Sequence, residues 1–90
     1  MNVRWHVFFS GRVQGVGFRY TCVQQARHHE VTGWVKNLDN GSVEMIVEGE
    51  SAVLEAYVES VSEATHGCVA DTQTTKSAAT GEFSTMSVVH

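Results

Sequence analysis

The chain contains no proline in its 90 residues. No X–Pro bond therefore has to isomerise during folding. Cysteine is almost as scarce: Cys22 and Cys68 stand alone, with no C-x-x-C pair and no His/Cys cluster at zinc-ligand spacing. Five histidines are present, but His6, His28, His29, His66 and His90 share no metal-ligand spacing. His28 and His29, adjacent on a helical pattern, point in different directions and read as surface residues. No apolar run is long enough to span a bilayer. The first residues lack the charged start, apolar stretch and small-residue cleavage site of a secretory signal. These absences lead us to expect reduced thiols, no metal, no cofactor and a cytoplasmic location. Whether Cys22 and Cys68 are bridged is left open, because the sequence does not give their separation.

Nucleophiles in a recognisable setting are missing too. There is no G-x-S-x-G elbow. Arg27 follows Cys22 one residue too early for the C-x-x-x-x-x-R loop of cysteine phosphatases. No paired aspartates stand at a strand end to form a phosphoenzyme or hold magnesium. Positive charge is scarce after residue 38. Residues 1–38 hold five Arg or Lys against Glu30, about +4, while residues 39–90 hold nine Asp or Glu against Lys76, about −8. The net charge of −4 opposes a nucleic-acid partner, which wants a basic face, and the aromatic motifs of RNA-recognition domains are absent.

What is present begins with Gly11-Arg12-Val13-Gln14-Gly15-Val16-Gly17-Phe18-Arg19, which follows the apolar run Val7-Phe8-Phe9 and precedes a helical pattern. A strand, a glycine-rich turn and a helix start can build an anion site. Glycines let backbone N–H groups turn inward, and the helix N-terminus adds unpaired donors and a positive dipole end. Arg19 brings a permanent charge and a planar fork of donors. The loop is neither a dinucleotide fingerprint, lacking a third glycine in register, nor a Gly-Lys-Ser/Thr nucleotide cradle. Taken alone, such a turn is common and usually binds nothing.

The second informative stretch is Gly33-Trp34-Val35-Lys36-Asn37-Leu38-Asp39-Asn40-Gly41-Ser42-Val43-Glu44. It reads as strand, tight turn and strand, with Asn40-Gly41 as the hairpin signal. Around these two segments the chain alternates between types. Val3, Trp5, Val7 and Phe9 share one face of a first strand. Phe18, Cys22, Val23 and Ala26 mark a helix over about 18–29. Strands are expected over 31–37 and 42–48, the latter with Val43, Met45 and Val47 inward and Glu44 and Glu48 outward. Ser51 is the expected N-cap of a helix over 52–64, whose stripe is Leu54, Tyr57, Val58, Val61 and Ala64, with Gly67 as its stop. A threonine-rich strand over 69–75, a loop over 77–81 and a last strand over 83–89 complete the chain. This is one α+β domain over residues 1–90. We expect a ferredoxin-like α/β sandwich: an antiparallel sheet of four to five strands with two helices on one face.

The two motifs, together with Gly49, resemble those of the acylphosphatase family, G-x-V-Q-G-V-G-F-R and G-W-V-x-N-x-x-x-G-x-V-E. The resemblance is close from Val3 to about Gly49 and is one of pattern beyond. It implies the same ferredoxin-like fold and hydrolysis of acyl phosphates without metal. It also implies that Arg19 and Asn37 are catalytic, one holding the phosphoryl group and the other a water.

Elementary chemistry leads to the same place. A site with no nucleophile, metal or acid suits an easy leaving group, and a carboxylate, whose acid has a pKa of about 4, leaves without a proton. Backbone N–H groups of Gln14, Gly15, Val16, Gly17, Phe18 and Arg19 are the expected substrate-binding groups. The Asn37 amide can orient a water but is no ordinary base. Ser42 is a candidate hydrogen-bond partner of Asn37, Phe18 and Trp34 are expected core aromatics, and Arg12 an exposed loop charge. The expected partner is a small-molecule acyl phosphate, with inorganic phosphate as product and neither nucleic acid nor membrane involved, and the expected state is a monomer. The rival readings are a carbamoyl-phosphate-cleaving module like that of hydrogenase maturation proteins, and an RNA- or metal-binding domain of the same architecture.

The end of the chain departs from the family pattern. Gly67-Cys68 stands where Gly-Pro is common, and Phe83-Ser84-Thr85-Met86 where F-x-I and a basic residue are common. A threonine in a core slot weakens packing, so a weaker last strand is expected.

Overall fold

The computed structural model describes residues 1–15 and 17–90. In chain order the elements are β1 (Asn2–Gly11), α1 (Phe18–Ala26), β2 (Thr32–Asn37), β3 (Val43–Glu50), α2 (Ser51–Ala64), β4 (Val69–Ala78) and β5 (Met86–Val89). The strands form one sheet in the order β4-β1-β3-β2-β5. The first three pairings are antiparallel. β5 runs parallel to β2, so the five-stranded sheet is mixed rather than wholly antiparallel. That direction follows from the route of the chain, which crosses the whole sheet between β4 at one edge and β5 at the other.

The period-two alternation of the strands decides which face is covered. Trp5, Val7 and Phe9 of β1, Val35 of β2, Val43, Met45 and Val47 of β3 and Met86 of β5 are buried in one core with Phe18 and Cys22 of α1 and Leu54, Tyr57 and Val61 of α2. Both helices therefore lie on the same face. The helices are tied at depth: the Tyr57 hydroxyl donates to the Cys22 carbonyl at 2.7 Å, satisfying a phenol that burial would otherwise penalise. Burial pushes the Cys22 thiol up to about 12, so it carries no thiolate at neutral pH. Cys22 and Cys68 are both free.

Several boundaries differ from the sequence expectation. α1 stops at Ala26 instead of running to His29, because the N–H groups of Arg27, His28 and His29 turn back to carbonyls three residues earlier. Ser51 is the first residue of α2, and Glu50 occupies the cap position with no side-chain cap. β4 runs on to Ala78, through the first residues of the expected loop, because it pairs with β1 as far as Val3↔Ala78. The last strand is shorter than expected and starts at Met86. Thr85 is exposed and takes no core slot; its carbonyl accepts from the Gly33 N–H at 3.0 Å, and Met86 fills the core instead. Trp34 is half-buried on the face away from the helices rather than in the core.

Glu48 points outward as expected, yet only 3% of its side chain is exposed. The connection over 79–85 passes across it as a strap. Arg4 Nε donates to Glu48 at 2.8 Å, the Thr80 and Gly81 N–H groups at 2.9 and 3.0 Å, and the Thr80 hydroxyl at 3.2 Å. Glu82 pairs with the same Arg4, whose guanidinium also stands 5.3 Å from the centre of the Phe83 ring. Burial alone would raise the Glu48 pKa. The hydrogen bonds from the strap and from Arg4 outweigh burial and hold it at about 2.

Candidate active site

The glycine loop and the hairpin meet at the N-terminal end of α1. The loop leaves β1 beyond a register shift at Ser10/Gly11, and its first N–H, that of Arg12, donates to the Cys68 carbonyl at 2.9 Å. Gly15 and Gly17 both adopt φ of +75°, where a side chain would be strained. Gly17 is the N-cap residue of α1, and no side chain caps the helix. The first turn also holds no acidic residue. The Thr21 N–H closes the first helical bond onto the Gly17 carbonyl at 2.9 Å. Earlier N–H groups have no intrahelical acceptor and face outward with the positive end of the dipole.

The loop is held to the hairpin by one side chain. Gln14 Nε2 donates to the carbonyls of Leu38 and Ser42, at 2.7 and 2.8 Å. Both amide hydrogens are used, so the Gln14 side chain belongs to the scaffold, and only its backbone remains for an anion. Phe18 is likewise committed: its ring is 1% exposed and meets Phe9 edge-on at 5.0 Å. Val16, the remaining expected cradle residue, lies outside the described residues.

The hairpin brings Asn37 to the same place. Asn37 is the last residue of β2 and pairs with Val43, whose side chain faces the helices. The turn beyond it is closed by Leu38 N–H to the Ser42 carbonyl at 2.9 Å and by Gly41 N–H to the Leu38 carbonyl at 3.2 Å. The Ser42 hydroxyl donates to Asn40 Oδ1 at 2.6 Å, and not toward Asn37 as expected. Asn37 Oδ1 is consequently buried with no hydrogen-bond partner among the described residues. An orphaned amide oxygen of this kind costs on the order of 1–3 kcal/mol unless a water or ligand supplies a donor.

A pocket of about 250 Å³ joins these parts, lined by Gly15, Gly17, Arg19, Tyr20 and Asn37 with Val13, Phe18 and Val88 behind. Its lining carries one cation and, among the described residues, no carboxylate. Arg12, expected to be exposed, is exposed and not part of it. Among the described residues no three His, Cys, Asp or Glu side chains stand close enough to hold a metal ion. Such a pocket can take a small oxyanion, share its charge between a guanidinium and backbone donors, and present a polar oxygen for one water.

A family model described as Acylphosphatase matches residues 5–87. The chain belongs to the acylphosphatase family. Its five-stranded, two-helix architecture is the ferredoxin-like acylphosphatase fold: it superposes on the crystal structure of the acylphosphatase from Bacillus subtilis with a TM-score of 0.90, at 36% identity, covering 98% of this chain and 99% of that one. The acylphosphatase of Marinobacter nauticus is 41% identical over 97% of this chain and 96% of its own length. That of Bacillus velezensis is 48% identical over 66% of each chain, so this alignment spans just under two thirds of the relative's length.

Two site features were not visible beforehand. His90, set aside in the sequence for want of metal-ligand spacing, accepts a hydrogen bond at Nδ1 from Arg19 Nη1 at 3.4 Å. Val13, 1% exposed, forms the floor of the pocket. Only the pairing of β5 with β2 brings His90 to Arg19, and no local pattern carries that information.

Proposed function

We propose that the chain hydrolyses acyl phosphates to a carboxylate and inorganic phosphate, without a metal. Family membership supports the reaction class. The observation that carries the mechanism is the convergence on one small pocket of Arg19, the start of α1 without a side-chain cap, and a buried Asn37 Oδ1 that has no partner among the described residues.

In this reading Arg19 pairs with two oxygens of the phosphoryl group, and the N–H groups of the segment from Gln14 to Arg19 take the rest. Charge that spreads over those oxygens in the transition state meets a site already organised for it. Asn37 Oδ1 accepts a hydrogen bond from a water and places its oxygen in line with the bond to the acyl oxygen. The water oxygen bonds to phosphorus, the bond from phosphorus to the acyl oxygen breaks, and that oxygen leaves with the electron pair as a carboxylate. The water's proton passes to a phosphoryl oxygen. No side chain has to gain or lose a proton.

The test is phosphate release from benzoyl phosphate and from p-nitrophenyl phosphate, each with excess EDTA. Rapid turnover of the acyl phosphate and scarcely any of the monoester is expected. Loss of activity with chelator and its return with magnesium or zinc would refute the metal-free route.

A further inference from the structure

We propose that His90 is a third side chain of the phosphoryl site, donating to the bound oxyanion beside Arg19. The inference rests on the reading above, since it concerns the same anion.

Its first support is the register of the edge strand. β5 pairs with β2 in parallel, Gly33 against Met86 and Val35 against Val88. Met86 is 5% exposed in the core, and Val88 packs against the core and lines the pocket. β5 ends at Val89, paired with Lys36, so His90 follows directly beyond the last pair, beside the end of β2 that carries Asn37. The second support is the contact itself. Arg19 Nη1 donates to His90 Nδ1 at 3.4 Å, so the imidazole stands at the guanidinium that faces the pocket.

That contact is long for a hydrogen bond and lies in the open. A phosphoryl oxygen is a charged and much better acceptor for a guanidinium than an imidazole nitrogen. An arriving oxyanion takes the Arg19 N–H, and its oxygen then lies within hydrogen-bond reach of the ring just displaced. To donate there, the ring must carry a proton on Nδ1. His90 is an exposed residue, so water can supply that proton and take one from Nε2, with no net change.

The consequence is a binding role more than a chemical one. His90→Ala should weaken inorganic phosphate binding about tenfold, as expected for loss of one hydrogen bond to a charged group. The KM for an acyl phosphate should rise by a similar factor while kcat stays within about threefold. His90→Lys, which supplies a donor in place of the ring, should recover most of the loss.

Calorimetric titration of inorganic phosphate into the wild-type chain, His90→Ala, His90→Lys and Arg19→Ala tests this, with thermal midpoints confirming that each is folded. Wild-type affinity for a folded His90→Ala would overturn the inference. So would a His90→Lys protein as weak as His90→Ala, because the ring would then act by shape and not as a donor. If wild type binds phosphate and Arg19→Ala does not, while His90→Ala is unchanged, the phosphoryl site stands and only the role of His90 falls. If the wild-type chain neither binds phosphate nor turns over an acyl phosphate, the site itself is wrong and His90 falls with it.

Discussion

Asn37 is the residue at which sequence type and buried environment make the sharpest demand. A turn asparagine normally spends its side chain on the turn, and Asn40 does so by accepting from both the Ser42 N–H and hydroxyl. Asn37, three residues earlier, keeps a buried oxygen with no partner among the described residues. Replacing it with Ala should lower kcat by on the order of 10²–10³ while leaving the inhibition constant for phosphate nearly unchanged, because its proposed partner is the water. Asn37→Asp should be poor as well, since a carboxylate beside the phosphoryl group repels it. Steady-state kinetics with phosphate as inhibitor makes the comparison. Collapse of phosphate binding with turnover at saturation intact would exclude the water-holding role, and a fully active Asn37→Asp would favour a general base. Arg19 should behave in the opposite sense. Its replacement by Lys should weaken phosphate binding and turnover together, by roughly 10³-fold in rate, because an ammonium lacks the planar fork.

At the scale of elements, the site depends on how closely β2 lies against β3. Gly33 has a φ of +147°, and a Cβ built there would stand 1.9 Å from the Ile46 carbonyl oxygen, which is backbone and cannot move aside. The same glycine donates its N–H to Thr85 and so positions the entry to β5. Gly33→Ala should therefore destabilise the fold by roughly 3 kcal/mol or more, at the severe end for a single substitution. Urea unfolding followed by circular dichroism would measure it, and a midpoint equal to wild type would show that β2 can move away without cost. The glycine was legible as part of a motif. Its reason was not, because the clash comes from a residue 13 positions away. α2, by contrast, was legible almost to its ends, since its stripe of Leu54, Tyr57 and Val61 is local and buries as the pattern says. The last strand was the poorest reading. Its apolar residues Phe83, Met86 and Val88 look alike in sequence, but Phe83 is taken by Arg4 in the strap.

At the scale of the whole molecule, the strap over Glu48 ties the two edges of the sheet together. The chain must cross the outer face to bring β5 beside β2, and Glu48 anchors that crossing through two backbone N–H groups, the Thr80 hydroxyl and Arg4. Its folded pKa of about 2 lies below the ordinary 4.5. The stability this represents is complete above about pH 4.5 and is lost as pH falls toward 2, a contribution on the order of 3 kcal/mol. Glu48→Gln should be less stable than wild type at pH 7 and should lose less stability between pH 5 and 2. Thermal midpoints of the two proteins across that range decide it, and parallel curves would show that Glu48 does not anchor the strap. Because β5 carries Val88 to the pocket and leads into His90 beside Arg19, a loosened strap should also weaken phosphate binding.

Whatever depends on neighbours along the chain is written in the order of the residues. The glycine turn before α1, the Asn40-Gly41 hairpin, the amphipathic face of α2 and the alternation of β1 and β3 follow from backbone freedom and periodicity over a few residues. Both motif segments, and with them Arg19 and Asn37 as the residues to watch, were legible for that reason. Tertiary structure decided what depends on residues far apart. It brought Gln14 to the carbonyls of Leu38 and Ser42, which joins loop to hairpin, and it buried Asn37 Oδ1 with no partner among the described residues. It set β5 parallel to β2, which moved Thr85 out of the core and placed His90 against Arg19. It also covered Glu48, an outward residue by alternation, beneath a strap from 32 residues further along the chain. In each case the deciding contact joins segments far apart in the chain, and no local preference encodes it.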